Sequence, residues 1–450
     1  MACVLFGMAA TVAQAQDAPK TDPPAPAAPA PAAPAAPAAQ PTPAPKPQAA
    51  PAAPAQTPAA PAAPAQAAPA APAAPAPGTI SYSGLLDVYY GINARAPSGK
   101  AAPFAPAFTG IVTPSGEAIK IDNAGRAFDI NDRDPSFSLG EFNISRTAGK
   151  GFPLGITATL TFGDTARIVH ATEPGGTSSW QTLQQLYLTY TPHVWGRDIP
   201  IDFGIFTTPF GYEVIESSNN DNYSRGLLFE YAVPLYHAGL RFNIPFSNQF
   251  SLLSGVVNGW NNIADDNNSK SVFTQLTWKP NAKLTSLLGW MGGAEGTGTY
   301  GSAVLPQLGD ITTNLFDFQT IYQWNDKFKL VFWGDYATAA GQVGKTHVSD
   351  DWVGYAAYAR YQFTNHFAVA ARLEQFEDGT GGLGGLRDGV AGYSKLKEAT
   401  LTLEYASFRG HLLSRLEYRH DHATVPFFGS SGGVGVPDQD TFYLGEVYKF

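Results

Sequence analysis

Cysteine is almost absent: Cys3 is the only one in 450 residues. Disulfide staples, cysteine nucleophiles and thiolate metal sites are therefore excluded from everything that follows it. Charge is scarce too, at 14% of residues against about 25% in ordinary soluble domains. Yet beyond the start no run approaches the roughly 18 uninterrupted apolar residues of a membrane helix. Aromatic residues are missing from the front, where Phe6 alone precedes Pro77. Positive charge is in deficit, with a net charge of −9, which argues against nucleic acid as a partner. No phosphate-binding glycine loop, Ser or Cys nucleophile motif or paired zinc-ligand spacing occurs, so no enzyme is expected and no cofactor or metal is implied.

What is present divides the chain into three. Residues 1–15 read as a secretory signal: an apolar stretch with Val4, Leu5, Phe6 and Met8 leads to Ala13-Gln14-Ala15, although no Lys or Arg precedes it. Residues 16–78 are almost wholly Ala and Pro, and Lys20 and Lys46 balance Asp17 and Asp22. Such a segment has nothing to bury and a fixed φ at each proline, so it is expected to be a disordered, semi-rigid tether. Residues 79–450 hold the remaining aromatics and the whole of the net charge.

That body is a series of short segments with alternating apolar and polar residues, the signature of strands with two unlike faces. Sixteen are expected, near 80–92, 136–147, 154–164, 181–191, 199–206, 236–245, 250–258, 271–279, 284–291, 314–323, 328–337, 352–362, 366–376, 397–406, 411–420 and 440–449. Even-numbered connections are short and carry turn residues, such as Pro280-Asn281-Ala282-Lys283, Asn325-Asp326-Lys327 and Arg409-Gly410. The odd-numbered ones are expected to be long, Gly-rich and polar. This rhythm predicts an all-β fold, a transmembrane antiparallel barrel of about sixteen strands in a bacterial outer membrane. An even count places both termini on the periplasmic side. In the last segment Phe442, Leu444, Tyr448 and Phe450 share the outward face with one blemish, Glu446. A charge facing lipid is costly, so Glu446 is expected near a rim, against a neighbouring subunit, or in a bulge that turns it inward.

Four stretches carry a resemblance to a known family. They are Phe128-Asp129-Ile130-Asn131-Asp132 leading into Phe137 to Arg146, then Pro153-Leu154-Gly155 through Ala166, the long run from Ile201 to Phe242, and Val257-Asn258-Gly259-Trp260-Asn261-Asn262. On these the body resembles the putative β-barrel porin-2 family of bacterial outer-membrane proteins. The resemblance implies an outer-membrane pore and supplies no particular solute.

Candidate functional residues follow from strand parity and loop order. The third long loop, Thr207 to Leu235, holds Glu213, Glu216 and Asp221 together with apolar residues that need burial. By analogy with general porins it is expected to fold into the lumen, those acids lining a constriction and Arg225 and Tyr223 fixing the loop. On the far wall the inward parity collects Arg360, Arg372, Arg415 and Arg419, with Glu374, Glu404 and Glu417 among them. Two roles are open for these charges: a transverse field that orients solutes and sets ion preference, or pairing that stiffens the wall. Tyr187, Tyr358 and Tyr443 offer an aromatic track for sugars. His420-Asp421-His422 is expected in a surface loop, its two histidines on opposite faces.

The reading is a porin for passive diffusion of ions and small hydrophilic solutes. The rivals are a structural or adhesive barrel with a closed lumen, and a solute-selective channel. Expected partners are outer-membrane lipid, the barrel assembly machinery through the strand ending in Phe450, peptidoglycan through the linker, and two further copies of the chain in a homotrimer.

Overall fold

The computed structural model describes residues 78–96, 110–112, 118–149, 151–171, 173, 180–265, 267–295, 311–343, 346–379, 394–432 and 435–450. The expected signal and linker at 1–77 lie outside the described residues. Sixteen strands close into one antiparallel barrel in sequence order. We number them β1 Ile80–Asn93, β2 Pro135–Arg146, β3 Leu154–Phe162, β4 Leu183–Tyr190, β5 Ile201–Thr207 and β6 Tyr236–Pro245. Next come β7 Phe250–Val257, β8 Ser271–Asn281, β9 Leu284–Glu295, β10 Ile311–Asn325 and β11 Phe328–Val343. The last five are β12 Thr346–Gln362, β13 Phe367–Asp378, β14 Ser394–Ser407, β15 Leu412–Ala423 and β16 Asp438–Lys449. β1 pairs with β16, Leu85 opposite Lys449 and Asn93 opposite Thr441, so no strand edge is left open, as lipid requires.

Alternation explains the wall. Along β13, Phe367 and Leu373 are exposed on the outer face while Ala368, Ala370, Arg372 and Glu374 are buried on the inner one. Along β15, Leu416 and Tyr418 face out and Arg415, Glu417 and Arg419 face in. Outward aromatics gather near the short-turn edge: Phe367 lies over Tyr405 with ring centroids 4.7 Å apart, and Tyr361 meets Phe363 at 4.8 Å. Amphipathic rings at this level form the girdle that seats a barrel in its bilayer.

One expectation fails at the eleventh connection. Instead of a long loop from about residue 338 to 351, β11 and β12 continue past the neighbouring strands and pair as far as Val343 opposite Thr346. Thr338 to Gly341 is poor in bulky residues and looks like loop, but the cross-strand ladder overrides that weak preference. The expected position of Glu446 is narrowed as well. The β15–β16 register runs without a bulge, Ser414 lies opposite Glu446, and the Ser414 hydroxyl donates to the carboxylate at 2.7 Å on the outer face.

Gly204 on β5 shows how closely the strands approach. Its φ is +142°, and a Cβ there would stand 2.2 Å from the Leu186 carbonyl oxygen, so only glycine fits.

Candidate functional site

The connection from β5 to β6, residues 208–235, runs inside the wall. A short 3-10 turn, Ser217–Asn219, and one helical turn, Leu227–Tyr231, break it into segments. Too short to form a core of its own, it buries Phe210, Ile215, Leu227, Leu228 and Phe229 against inward side chains of the barrel.

Its polar groups are met around most of the circumference. Gln275 on β8 donates to the Pro209 carbonyl at 2.6 Å, and Asp317 on β10 accepts from the Gly211 amide at 3.2 Å. Lys329 on β11 reaches Asp221 at 2.8 Å, and Tyr212 donates to the same carboxylate at 2.8 Å. Arg372 on β13 donates to Glu213 and to the Ser224 carbonyl, each at 2.7 Å, while Glu398 on β14 accepts from its Nε at 2.8 Å. Arg415 on β15 donates to the carbonyls of Ser217 at 2.6 Å and Asn220 at 2.9 Å, and to Glu404 at 2.8 Å. Glu417 accepts the amides of Tyr223 at 2.5 Å and Ser224 at 3.0 Å. Arg419 donates to the Arg225 carbonyl at 2.5 Å, and Glu374 accepts the Leu227 amide. On β1, Asp87 accepts hydroxyls from Ser217 at 2.6 Å and Tyr223 at 2.8 Å.

The structure therefore joins Glu213 directly to Arg372, with both side chains fully buried. Glu374, Arg415, Glu417 and Arg419 hold loop backbone, and Arg225 turns back on its own loop through the carbonyls of Ile215 and Tyr223. Nearer water are Arg360, paired with Glu404, and Lys329, paired with Asp221, their side chains 19% and 25% exposed. Glu216 is half-buried and accepts from Gln184 on β4 at 2.8 Å. Val214 and Asn219 are the exposed residues of the loop, and Tyr212 is half-buried.

Further loop segments cover the third loop. Phe128, from the connection between β1 and β2, packs on Phe229 at 5.6 Å and under the Arg225 guanidinium at 4.8 Å. In the same segment Arg126 pairs with Asp129 and with Asp421 on β15. Phe427 and Phe428, between β15 and β16, are buried in the same cluster. Burial pushes the Glu230 carboxyl above the usual range, against the pull of the Arg419 and Arg126 guanidiniums. At the edge of this assembly His170 is buried against Tyr236 at 4.6 Å, and desolvation pushes its pKa down to about 4.

Several residues escaped the sequence reading. Asp87, Asp317 and Thr402 hold the loop directly, while Trp333 donates to Asp317 and Glu398 accepts from Arg372; only the inward parity of acids on otherwise apolar strands signals the first two. The three proposed sugar-track tyrosines do not line one surface: Tyr358 and Tyr443 are buried beneath loops, and Tyr187 alone is half-buried. His420 and His422 are also corrected. β15 continues through both, and residues two apart share a face. Each imidazole meets an aspartate of β16, His420 with Asp440 at 2.8 Å and His422 with Asp438 at 2.7 Å, while Asp421 points inward. Among the described residues no group of three or more His, Cys, Asp or Glu side chains is arranged to hold a metal ion.

A closed sixteen-strand barrel with an aromatic girdle and charged residues on its inner face defines a bacterial outer-membrane porin-like protein. Residues 79–450 match the family model described as putative beta-barrel porin-2, OmpL-like, and the chain belongs to that family. Solved barrels share the fold at low identity. The anion-selective porin from Comamonas acidovorans aligns with a TM-score of 0.52 at 11% identity, over 83% of this chain and 99% of that one. OmpT of Vibrio cholerae, in a trimer form, aligns with a TM-score of 0.51 at 13% identity, over 83% of this chain and 100% of that one. The outer membrane channel DcaP of Acinetobacter baumannii gives 0.51 at 11% identity, over 82% and 97%. No curated protein sequence matches the chain.

Proposed function

We propose that the protein is a homotrimeric porin for passive diffusion of ions and small hydrophilic solutes, its lumen narrowed by the third loop. The observation that carries this reading is the docking of that loop on β13–β15 through Arg372, Arg415 and Glu417. A loop held at so many points keeps a fixed aperture, and a fixed aperture sets solute size. Arg372 and Arg415 act here as fasteners. Ion preference falls instead to the charges nearer water, Lys329 and Arg360 on β11 and β12, facing Glu216 beside β4 half a circumference away.

In this reading the short turns and both termini lie on the periplasmic side, and residues 16–78, released from a signal at 1–15, form a linker toward the cell wall. The strand ending in Phe450 is the one presented to the assembly machinery. Trimerisation is supported by the fold shared with a barrel solved in a trimer form.

Planar-bilayer recording on the purified protein tests the channel. Stable ohmic steps are expected, with swelling of loaded liposomes by small sugars. A second reading, a structural barrel with a closed lumen, is favoured by the burial of Phe128, Phe427 and Phe428 over the third loop. Closure at every voltage would select it.

A further inference from the structure

Along most of its course the third loop meets the wall with a donor against an acceptor. At β2 it meets an acid with an acid. Glu216 stands one residue before Ser217, whose hydroxyl is held by Asp87 on β1, and its carboxyl lies within hydrogen-bonding reach of Glu141, an inward residue of β2. Glu141 is only 9% exposed, and its Oε2 is buried without a hydrogen-bond partner. Its Oε1 accepts from the Asn143 amide, and Glu216 accepts from Gln184 on β4 at 2.8 Å. Among the described residues neither acid is paired with a lysine, arginine or histidine.

Two ionised carboxylates in contact repel, and burial removes the water that would screen them. A positive species must lie between them. Arg372 does this for Glu213, but at Glu141 the neighbouring side chains are neutral: Asn143, Gln184 and Thr159, whose hydroxyl donates to Asn143. A shared proton would cancel one of the two negative charges, whereas a dication cancels both. The donors are all oxygen, which selects calcium or magnesium over metals that seek imidazole or thiolate. Two acidic ligands leave the rest of the shell to water and neutral oxygens. Glu216 is half-buried, so a hydrated ion has a way in from the passage. Calcium accepts such a mixed, flexible shell, while magnesium demands a near-ideal octahedron.

We propose that Glu141 and Glu216 bind a calcium ion that bridges β2 and the third loop at the border of the passage. The bound ion ties the loop to β2 and cancels the acidic charge that faces Lys329 and Arg360, so calcium regulates ion preference. Its electrical effect rests on the proposed open passage; binding of the ion does not.

Calorimetric titration of calcium chloride into the full chain in detergent, at constant ionic strength, reads the site. Wild type is expected to take up one calcium per chain with a dissociation constant on the order of 10⁻⁴ M, toward the weak end for oxygen-ligand sites. Glu141→Gln and Glu216→Gln keep the size of each side chain and should each weaken uptake by about tenfold or more, and the double variant should lose the site. Heat-modifiable mobility checks that each barrel is folded. Asp265→Asn, which removes an exposed acid of another loop, should bind as wild type does. In bilayers calcium should move the wild-type reversal potential toward anion preference, while the double variant should start shifted that way and stay there.

A wild type without saturable uptake, or a double variant with equal uptake, overturns the inference and leaves a shared proton in the gap. Equal weakening by Asp265→Asn also overturns it, by assigning the uptake to general surface charge. A potential that calcium moves equally in wild type and double variant overturns the regulatory role. A chain that binds calcium through both acids yet never conducts keeps this site and sinks the channel; a conducting chain without uptake does the reverse.

Discussion

Arg372 and Glu213 stand 2.7 Å apart with neither side chain open to water, one on the barrel wall and the other on a loop that begins across the lumen. Glu398 and the Ser224 carbonyl complete the guanidinium's shell. A buried pair of this kind is costly to break singly, because the survivor keeps its desolvation penalty without its partner.

Arg372→Met is therefore expected to destabilise the barrel by about 3–5 kcal/mol and to free the middle of the third loop. Single-channel records should show a larger and noisier conductance than wild type. A quiet, unchanged conductance would mean that the loop is held elsewhere or does not narrow the path.

Lys329→Gln with Arg360→Gln should shift the reversal potential in a salt gradient toward cation preference, because both are inward bases with side chains still open to water. Glu216→Gln should move it the other way. An unmoved potential in all three would remove these residues from selectivity.

His170 supplies a pH dependence. Its folded pKa is pushed down to about 4 from 6.5, so the opened segment binds a proton more readily than the packed one in that window. Stability of the packing around residues 164–171 is present above pH 6.5 and is lost as pH falls toward 4. The full loss is roughly 3 kcal/mol at 1.36 kcal/mol per pH unit. Hydrogen exchange should show the segment opening as the pH is lowered, and His170→Phe should abolish the trend. Equal protection at pH 7 and pH 5 in the wild type would refute it.

Gly204→Ala should fail to give a heat-resistant folded band, because the new Cβ meets the Leu186 carbonyl oxygen at 2.2 Å in a positive-φ backbone. Wild-type mobility in a gel-shift assay would contradict the close approach of β4 and β5.

Most of the barrel was legible in the chain because a period of two is a strong signal when one face meets lipid. Leu412 to Tyr418 could be sorted inward and outward residue by residue. Ladders without bulky side chains were harder: Thr338 to Gly341 looked like loop and is strand. His420 and His422 were missed through a parity slip, since Asp421 between them is the inward residue. The pairing of Arg372 was beyond reach for a different reason. Parity places a charge on the inner wall, but which of many acids it meets depends on how a 28-residue loop is folded back. That path is set by buried contacts such as Leu228 against Gly354 rather than by any local pattern.

A hollow tube of strands resists stretching along its hydrogen bonds but bends easily into an oval, because neighbouring strands can hinge about their ladders. The third loop is tied at β1, β8, β10, β11 and β13–β15, which makes it a spoke set across a rim. Sideways pressure from the bilayer is then carried through the interior, so ties between one loop and many strands also keep the cylinder round.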